Sequence, residues 1–525
     1  MSDGQQQWRP SHNPWAVALT VTMATFMEVL DTSIANVSLP HIAGSLSAGQ
    51  DESTWVLTSY LVANAIELPI SAFLSDRFGR KRFYMTCVAL FTVSSFLCGI
   101  ASSLGLLVLF RVFQGAGGGG LGPSEQAILA DTFPPEKRGM AFAVYGMAVV
   151  LAPAIGPTLG GYITDNFSWH WIFFINVPVG ILSLILSSRM VEDPPHVVEA
   201  KKRSRDIGID TWGLALIAVG LGALQIVLDK GERLDWFQSN FIRIFATTSA
   251  IALVCFVFWE LRQKNPVLEL RMLKKRNFAT ATVLMLCLGA ALYGSTVLIP
   301  QFLQLLMHYT AQQSGEALSA GGVVVMCLMP LVGVLVSRID ARYLITFGFV
   351  ATSLALFHMT TINLNIDFRT AMMYRVYQSI GMAFLFVPIN TLSYVGSSPG
   401  QSNQISAMIN LMRNLGGSIG ISAITTVIAR RSQSHQTLLV ANVTGTNPQL
   451  RNMVTGLSHR LAIAGSDSID ALHQTYGRVY MLVQQQAALL AYIDAIRIMA
   501  FVCVFCLPII YIAQRNRPGQ AAMGH

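Results

Sequence analysis

Ten ionisable side chains interrupt stretches that are otherwise apolar: Glu28, Asp31, Glu67, Arg111, Glu125, Asp131, Arg375, Arg413, Asp494 and Arg497. Glu28 and Asp31 are three residues apart and share a helix face. Tyr60, Asn64 and Glu67 fall at offsets of four and seven, which gives a second helix one polar face. Arg111 and Glu125 are fourteen apart, close to four turns, so they share a face of their helix. An ion in hydrocarbon is costly, so each of these groups is a functional candidate. The chemistry they suit is proton handling. Withdrawing a carboxylate from water favours its protonated form, and a neighbouring guanidinium favours the ionised form. A movement that separates the two therefore loads or releases a proton. Asp31, Arg111, Glu67, Glu125 and Glu28 are the candidate proton-coupling residues. The competing reading is a static buried ion pair that keeps helices in register. Asp131, near a helix end, reads as interfacial, and Asp494 with Arg497 as a local pair near the outer surface.

The elements that carry these residues must be membrane helices. Of 525 residues, 53% are hydrophobic and only 12% are charged, against about 25% in soluble domains. A soluble globule with so few charges would expose large apolar patches. Fourteen apolar segments of spanning length follow one another, the last two at 405–429 and 491–513. Glu28 and Asp31 lie in the first run, which reads as a retained helix and not as a cleaved signal.

Charge fixes the expected orientation. With the N-terminus inside, the inner segments hold 22 Lys and Arg, from Arg9 to Arg517, and the outer ones eight. That bias predicts N-in and C-in. It also accounts for the net charge of +8 without nucleic acid. Trp15, Trp55, Trp169, Trp171, Trp212, Trp236 and Trp259 sit near expected helix ends, as interface anchors do. The seven cysteines lie in apolar runs, and the Cys503/Cys506 pair has no second pair and no nearby His, so neither a disulfide framework nor a metal is implied.

The expected organisation is a tail at 1–14, a six-helix bundle at 15–189, a charged inner linker at 190–207 and two further helices at 208–262. A second six-helix bundle at 278–513 follows, with a tail at 514–525. It includes a polar outer loop at 430–490. Within that loop Leu472, Tyr476, Val479, Tyr480 and Val483 have helical spacing. That stretch reads either as a solvated loop or, in part, as an amphipathic docking helix.

Gly115 to Gly120 formally fits a G-x-G-x-x-G pattern. The pattern sits inside a span with no strand before it, so it is no nucleotide fingerprint. It reads as small-xxx-small packing, Gly115 with Gly119 and Gly118 with Gly122. Ala152 to Gly161 holds two Pro and three Gly, which weakens a helix and permits bending. No nucleophile–base set, paired-carboxylate cleft or zinc spacing is visible, so an enzyme is not expected.

Four motifs resemble those of the major facilitator superfamily, specifically the fourteen-span drug:proton antiporters of the EmrB/QacA type. They are Leu30-Asp31-Thr32-Ser33 through Pro40, Leu74-Ser75-Asp76-Arg77-Phe78-Gly79-Arg80-Lys81-Arg82, Arg111-Val112-Phe113-Gln114-Gly115, and Ala152 through Gly161. The usual leading Gly of the second is Ala72 here. The segment Leu228 to Phe237 and the loop 430–490 are similar to EmrB-like permeases of tripartite efflux pumps.

The resemblance implies an all-α polytopic membrane fold with two six-helix halves and an inserted helix pair. It implies that Asp31 couples protons and that Arg111 is the cavity arginine. Asp76, Arg77, Gly79 and Arg80 would form a cytoplasmic latch, with Gly156, Pro157, Gly160 and Gly161 in the bending element of exporters. Glu28 and Glu67 stand where neutral polar residues are expected.

The function implied is proton-driven multidrug efflux across the bacterial inner membrane. It needs no cofactor beyond the proton-motive force. The partners implied are lipid, a small amphipathic substrate, a periplasmic membrane-fusion adaptor and an outer-membrane channel. The expected cavity lies between helices 1, 2, 4, 9 and 12. Its expected wall is Tyr60, Asn64, Gln114, Tyr293, Gln304, Gln378, Met382 and Phe386. The rival is a dedicated exporter of one metabolite such as a fatty acid, siderophore or antibiotic. A proton symporter fits the fifth-helix motif less well.

Overall fold

A computed structural model describes residues 10–205, 210–264, 266–398, 400–444, 446–465 and 467–515. Arg9, Arg517 and most of both expected tails lie outside the described residues. Among the described residues, fourteen long helices follow one another. They are α1 (Pro14–Ser45), α2 (Trp55–Phe78), α3 (Arg80–Gly99), α4 (Leu104–Thr132), α5 (Pro135–Asn166), α6 (Trp171–Met190), α7 (Thr211–Lys230) and α8 (Asn240–Glu260). They continue as α9 (Arg276–Leu305), α10 (Ala311–Leu335), α11 (Ala341–Met359), α12 (Phe368–Ser393), α13 (Ser402–Val440) and α14 (Ser468–Ile510). No strand occurs among the described residues.

Polar side chains mark several starts. Asp210, Asp340 and Asp367 each accept a backbone N–H of the helix that follows, which satisfies a donor left unpaired at a helix N-terminus. Asp210 also accepts from Trp259 Nε1 at 2.9 Å, which ties the start of α7 to the end of α8. Perimeter positions such as Leu19, Ile251, Leu354 and Phe505 stay exposed, as lipid-facing surface requires.

Among the described residues, thirteen helices are long and apolar enough to cross a bilayer. The exception among the long helices is α13. It is diluted by Asn403, Gln404, Arg413, Asn414, Arg430 and Arg431, yet it packs along α9, α14 and α2 inside the bundle.

The pairings repeat between the halves. α1 packs on α5 as α9 packs on α13, α2 on α4 as α10 on α12, and α3 on α6 as α11 on α14. The halves meet mainly where α5 packs on α10 and α13 on α2 and α4. α7 and α8 pack on each other, and α7 lies against α2. At the end remote from the N-terminus the α7–α8 turn bridges both halves. Asp229 accepts from the Thr58 hydroxyl and Lys230 donates to the Thr54 hydroxyl. Trp236 Nε1 donates to Thr426 Oγ1 on α13 at 3.1 Å.

Two features differ from the sequence expectation. α4 is interrupted at Gly120, giving segments Leu104–Gly119 and Leu121–Thr132. The 430–490 stretch is largely helical: α13 runs on to Val440, α14 starts at Ser468, and a separate helix Pro448–Ile463 packs against α14. With 39 and 43 residues, α13 and α14 are about 58 and 64 Å long at 1.5 Å per residue. That is roughly twice the thickness of a hydrocarbon core.

The small-residue pattern of α4 does its expected work at two positions. A Cβ on Gly115 would strike the Tyr60 carbonyl, and one on Gly119 would lie 2.7 Å from the Asn64 carbonyl. Only glycine lets α2 approach this closely. Gly118 and Gly122 do not share a partner: Gly118 faces Tyr60 and Glu28, and Gly122 faces Asn410 and Tyr145.

Candidate functional site

Asp31 of α1 is held by side chains from two other helices. Arg111 Nη1 on α4 donates to Asp31 Oδ2 at 2.5 Å, and Gln114 Nε2, one turn on, to Oδ1 at 3.0 Å. Asn176 of α6 donates to the same Oδ1 at 2.7 Å. Arg111 Nε also donates to the Val56 carbonyl at 3.0 Å. Asp31 and Arg111 are 2% and 0% exposed, so neither has a solvent alternative to the other. Breaking such a pair by removing one partner leaves an uncompensated buried charge. Gln114, expected in the cavity wall, belongs to this cluster instead, because its amide bridges Arg111 and Asp31. Asn176 carries no signal in sequence, being one asparagine among many.

Glu125 lies fourteen residues, about 21 Å, further along α4 than Arg111. Its Oε1 accepts from Thr22 Oγ1 on α1 at 2.6 Å while Oε2 has no hydrogen-bond partner. Glu67 is half-buried against the Gly119 region of α4.

A cavity of about 160 Å³ lies beside the Asp31 cluster, lined from α1, α2, α7, α9 and α13. Its polar wall includes Glu28, Tyr60, Asn64, Asp229, Arg413 and Asn414. Glu28 Oε1 accepts from Tyr60 Oη at 2.9 Å and from Asn64 Nδ2 at 3.2 Å. The Tyr60 ring lies under Arg111, 4.2 Å from the guanidinium carbon. Arg413, opposite, donates from Nη1 to Tyr145 Oη at 2.9 Å. The volume admits a few waters at about 30 Å³ each, well below the 300–1,000 Å³ or so of drug-sized pockets.

Of the expected wall, Tyr60, Asn64 and Tyr293 line this cavity. The others do not. Gln304 is exposed near the end of α9. Gln378 bonds Arg375 within the second half. Met382 and Phe386 are core residues, the Phe386 ring lying tilted against Tyr145 with centroids 5.7 Å apart. Helices 4 and 12 are thus replaced as walls by α7 and α13. Amide-rich α13 signals this only weakly, and nothing in the sequence of α7 does.

A polar seam crosses between the halves below the cavity. Gln126 Nε2 donates to Asn390 Oδ1 at 3.0 Å, Asn410 Nδ2 to Gln126 Oε1 at 2.9 Å, and Tyr145 Oη to Asn410 Oδ1 at 2.9 Å. At the end that carries the N-terminus, the expected latch residues Asp76 and Arg80 form a second crossing. Arg80 Nε donates to Asn403 Oδ1 at 2.8 Å, and Asn403 Nδ2 to Asp76 Oδ1 at 2.5 Å. Arg80 Nη1 pairs with Asp131 Oδ2 at 2.6 Å, whose other oxygen accepts from Ser402 Oγ at 2.7 Å. Asp131, expected as merely interfacial, is therefore part of this network, with Ser402 and Asn403 as partners from α13. Gly79 turns the chain with a φ of +92°, which a side chain resists, and Asp193 lies 3.0 Å from where its Cβ would be. Arg77 is half-buried at the end of α2.

On α5, Gly156 packs on Ser33 and Gly160 on Ile34 of α1. Pro157 lies beside Gly315 of α10, whereas a Cβ on Gly161 would meet nothing within 4 Å. The helix stays continuous through Pro153 and Pro157.

Two helical halves around an interior polar cavity, closed at one end by a charged seam, define a membrane transporter. Residues 21–421 match the Major Facilitator Superfamily, and the chain belongs to it. The chain is 39% identical over 435 residues to the probable multidrug resistance protein EmrY of Escherichia coli K12, covering 83% of this chain and 84% of EmrY. It is 35% identical over 499 residues to the fatty acid resistance protein FarB of Neisseria gonorrhoeae, covering 95% and 96%. The crystal structure of a double-Trp mutant of XylE superposes with a TM-score of 0.61 at 12% identity over 98% of both chains, a likeness of fold. The protein is a multi-pass transporter of the bacterial inner membrane.

Proposed function

We propose that the chain is a proton-coupled antiporter that exports amphipathic compounds, with fourteen spans and both termini in the cytoplasm. The observation that carries this reading is the buried Asp31–Arg111 pair touching the cavity wall through Tyr60. A proton reaching Asp31 cancels its charge and releases Arg111, which weakens the hold of α1 on α4. Glu28 loses or keeps its bond to Tyr60 as that ring follows the guanidinium, so protonation and cavity shape are coupled through one side chain. On this orientation the Asp76/Arg80/Asp131/Asn403 network is the cytoplasmic latch. The latched conformation has a cavity too small for substrate, so binding requires a wider state. Each charge moved across the membrane contributes about 2.3 kcal/mol per 100 mV.

We take the helical hairpin beyond residue 430 as the surface for a periplasmic adaptor, which in turn meets an outer-membrane channel. Leu472, Tyr476 and Tyr480 are exposed on α14 there, and water-facing apolar rows of this kind favour a protein partner. A second reading, a dedicated exporter of one amphipathic metabolite, is favoured by the likeness to FarB along nearly the whole chain.

The test is efflux of one cationic and one neutral lipophilic dye from proteoliposomes under an imposed pH gradient, wild type against Asp31→Asn. Gradient-dependent export lost in the variant supports antiport through Asp31. Full proton-driven export by the variant would sink that assignment. Export of neither dye, with export of a fatty acid, selects the second reading.

A further inference from the structure

The two halves carry the same short pattern on equivalent helices. Arg111-Val112-Phe113-Gln114-Gly115 lies on α4 and Arg375-Val376-Tyr377-Gln378-Ser379 on α12. α4 packs on α2 and α3 as α12 packs on α10 and α11. In both copies the glutamine carbonyl accepts from the arginine: Gln114 Oε1 from Arg111 Nη1 and Gln378 Oε1 from Arg375 Nη1, each at 2.8 Å.

The copies differ in what they grip. In the first half, the guanidinium and the glutamine amide close together on the two oxygens of one carboxylate, that of Asp31. In the second half, Ser295 of α9 stands 2.9 Å from Arg375 Nη1. No carboxylate among the described residues lies within ion-pair distance of Arg375. Arg375 Nε and Gln378 Nε2, the amide that in the first half holds the acid, have no hydrogen-bond partner. Arg375 is 5% exposed and Gln378 0%. A guanidinium so placed has lost water without gaining an anion, which hydroxyls from Ser295 and Thr296 do not offset. Arg375 Nη2 reaches Thr296 Oγ1 at 3.5 Å. Thr296 is half-buried, one turn along α9 from Tyr293, which lines the cavity.

We propose that Arg375 and Gln378 form a ligand-filled copy of the Asp31 clamp, a site for the carboxylate of an amphipathic organic acid. The planar fork and the amide match a carboxylate's two oxygens, and the apolar chain of the acid would extend toward the cavity. This inference rests on the reading of the chain as an exporter of amphipathic compounds and names one substrate class for it.

The test is equilibrium binding of radiolabelled octanoate and octanol to the purified full chain in amphipol, at neutral pH and without a gradient. Arg375→Met is expected to weaken octanoate at least tenfold and leave octanol within twofold, with Arg375→Lys intermediate. Ser295→Asp supplies the missing acid from within. It is expected to abolish octanoate binding while raising the melting temperature, so a poorly folding Arg375→Met still leaves a decisive variant. Unchanged octanoate binding in Arg375→Met, or in Ser295→Asp, overturns the inference. So does an equal loss of octanoate and octanol, which marks a structural role. Acetate displacing octanoate at equal concentration overturns it too, since the site would then take any free carboxylate. Because no gradient is applied, octanoate binding without gradient-driven transport keeps this inference and rejects antiport.

Discussion

The ring of Tyr60 lies under the guanidinium of Arg111, 4.2 Å from its central carbon. The hydroxyl of the same ring donates to Glu28 in the cavity at 2.9 Å. One side chain thus reads the ion pair with its face and the cavity with its edge. The two contacts separate by mutation. Tyr60→Phe keeps the ring and loses the hydrogen bond, of about 1 kcal/mol. Its substrate KM is expected to rise about fivefold on that basis, with the pH-gradient dependence of efflux intact. Tyr60→Leu is expected to lose gradient dependence as well. Dye efflux titrated against substrate at two gradients distinguishes them.

Asp31→Asn is expected to abolish gradient-driven efflux and to leave substrate counterflow measurable, since Asn still meets Gln114 and Asn176. Arg111→Lys keeps the charge but loses the fork that spans Asp31, Gln114 and Val56. Efflux at saturating substrate is expected to fall at least tenfold, in keeping with a loss of about 1.4 kcal/mol or more.

Asn403→Ala removes the partner of both Arg80 Nε and Asp76. A hydrogen bond to a charged group is worth about 1.5–3 kcal/mol, and this loss falls entirely on the latched state. The equilibrium is expected to shift toward opening at this end. A cysteine placed at Ser406, buried beneath the latch, is expected to react faster with a small maleimide in the Asn403→Ala background. Equal rates would contradict the latch.

Gly115→Ala and Gly161→Ala make a matched pair on packing. The first drives a methyl into the Tyr60 carbonyl, and the second meets nothing within 4 Å. Over-packing of this kind costs about 1–3 kcal/mol, whereas Gly to Ala in an uncrowded helix gains up to about 1 kcal/mol. Thermal denaturation in detergent is expected to show a lower midpoint for Gly115→Ala and an equal or higher one for Gly161→Ala.

Asp229 brings the inserted helix α7 into the cavity wall. Asp229→Asn is expected to raise the KM of a cationic dye while leaving that of a neutral dye of similar size unchanged. Parallel shifts for both dyes would assign Asp229 to structure alone, through its bond with Thr58.

Much of this protein is legible in its residues. Lipid-compatible composition, the spacing of apolar runs and the acids within them dictate a helical membrane bundle, because hydrocarbon leaves the backbone few other ways to satisfy its polar groups. Asp31 and Arg111 stand out in sequence because a charge in such a run demands a reason. The tertiary structure alone decided which charges meet. Arg111 found Asp31 on α1, and Glu125, about 21 Å further along α4, found Thr22 instead. Gln114 moved from the expected wall into the ion-pair cluster, and Asn176 joined it. Arg413, Asn414 and Asp229 entered the cavity from helices far apart in sequence. Helical periodicity specifies which residues share a face of one helix, but not which face of another helix it finds. That choice depends on close approaches such as Gly115 against Tyr60, and these are set by the packing of the whole bundle.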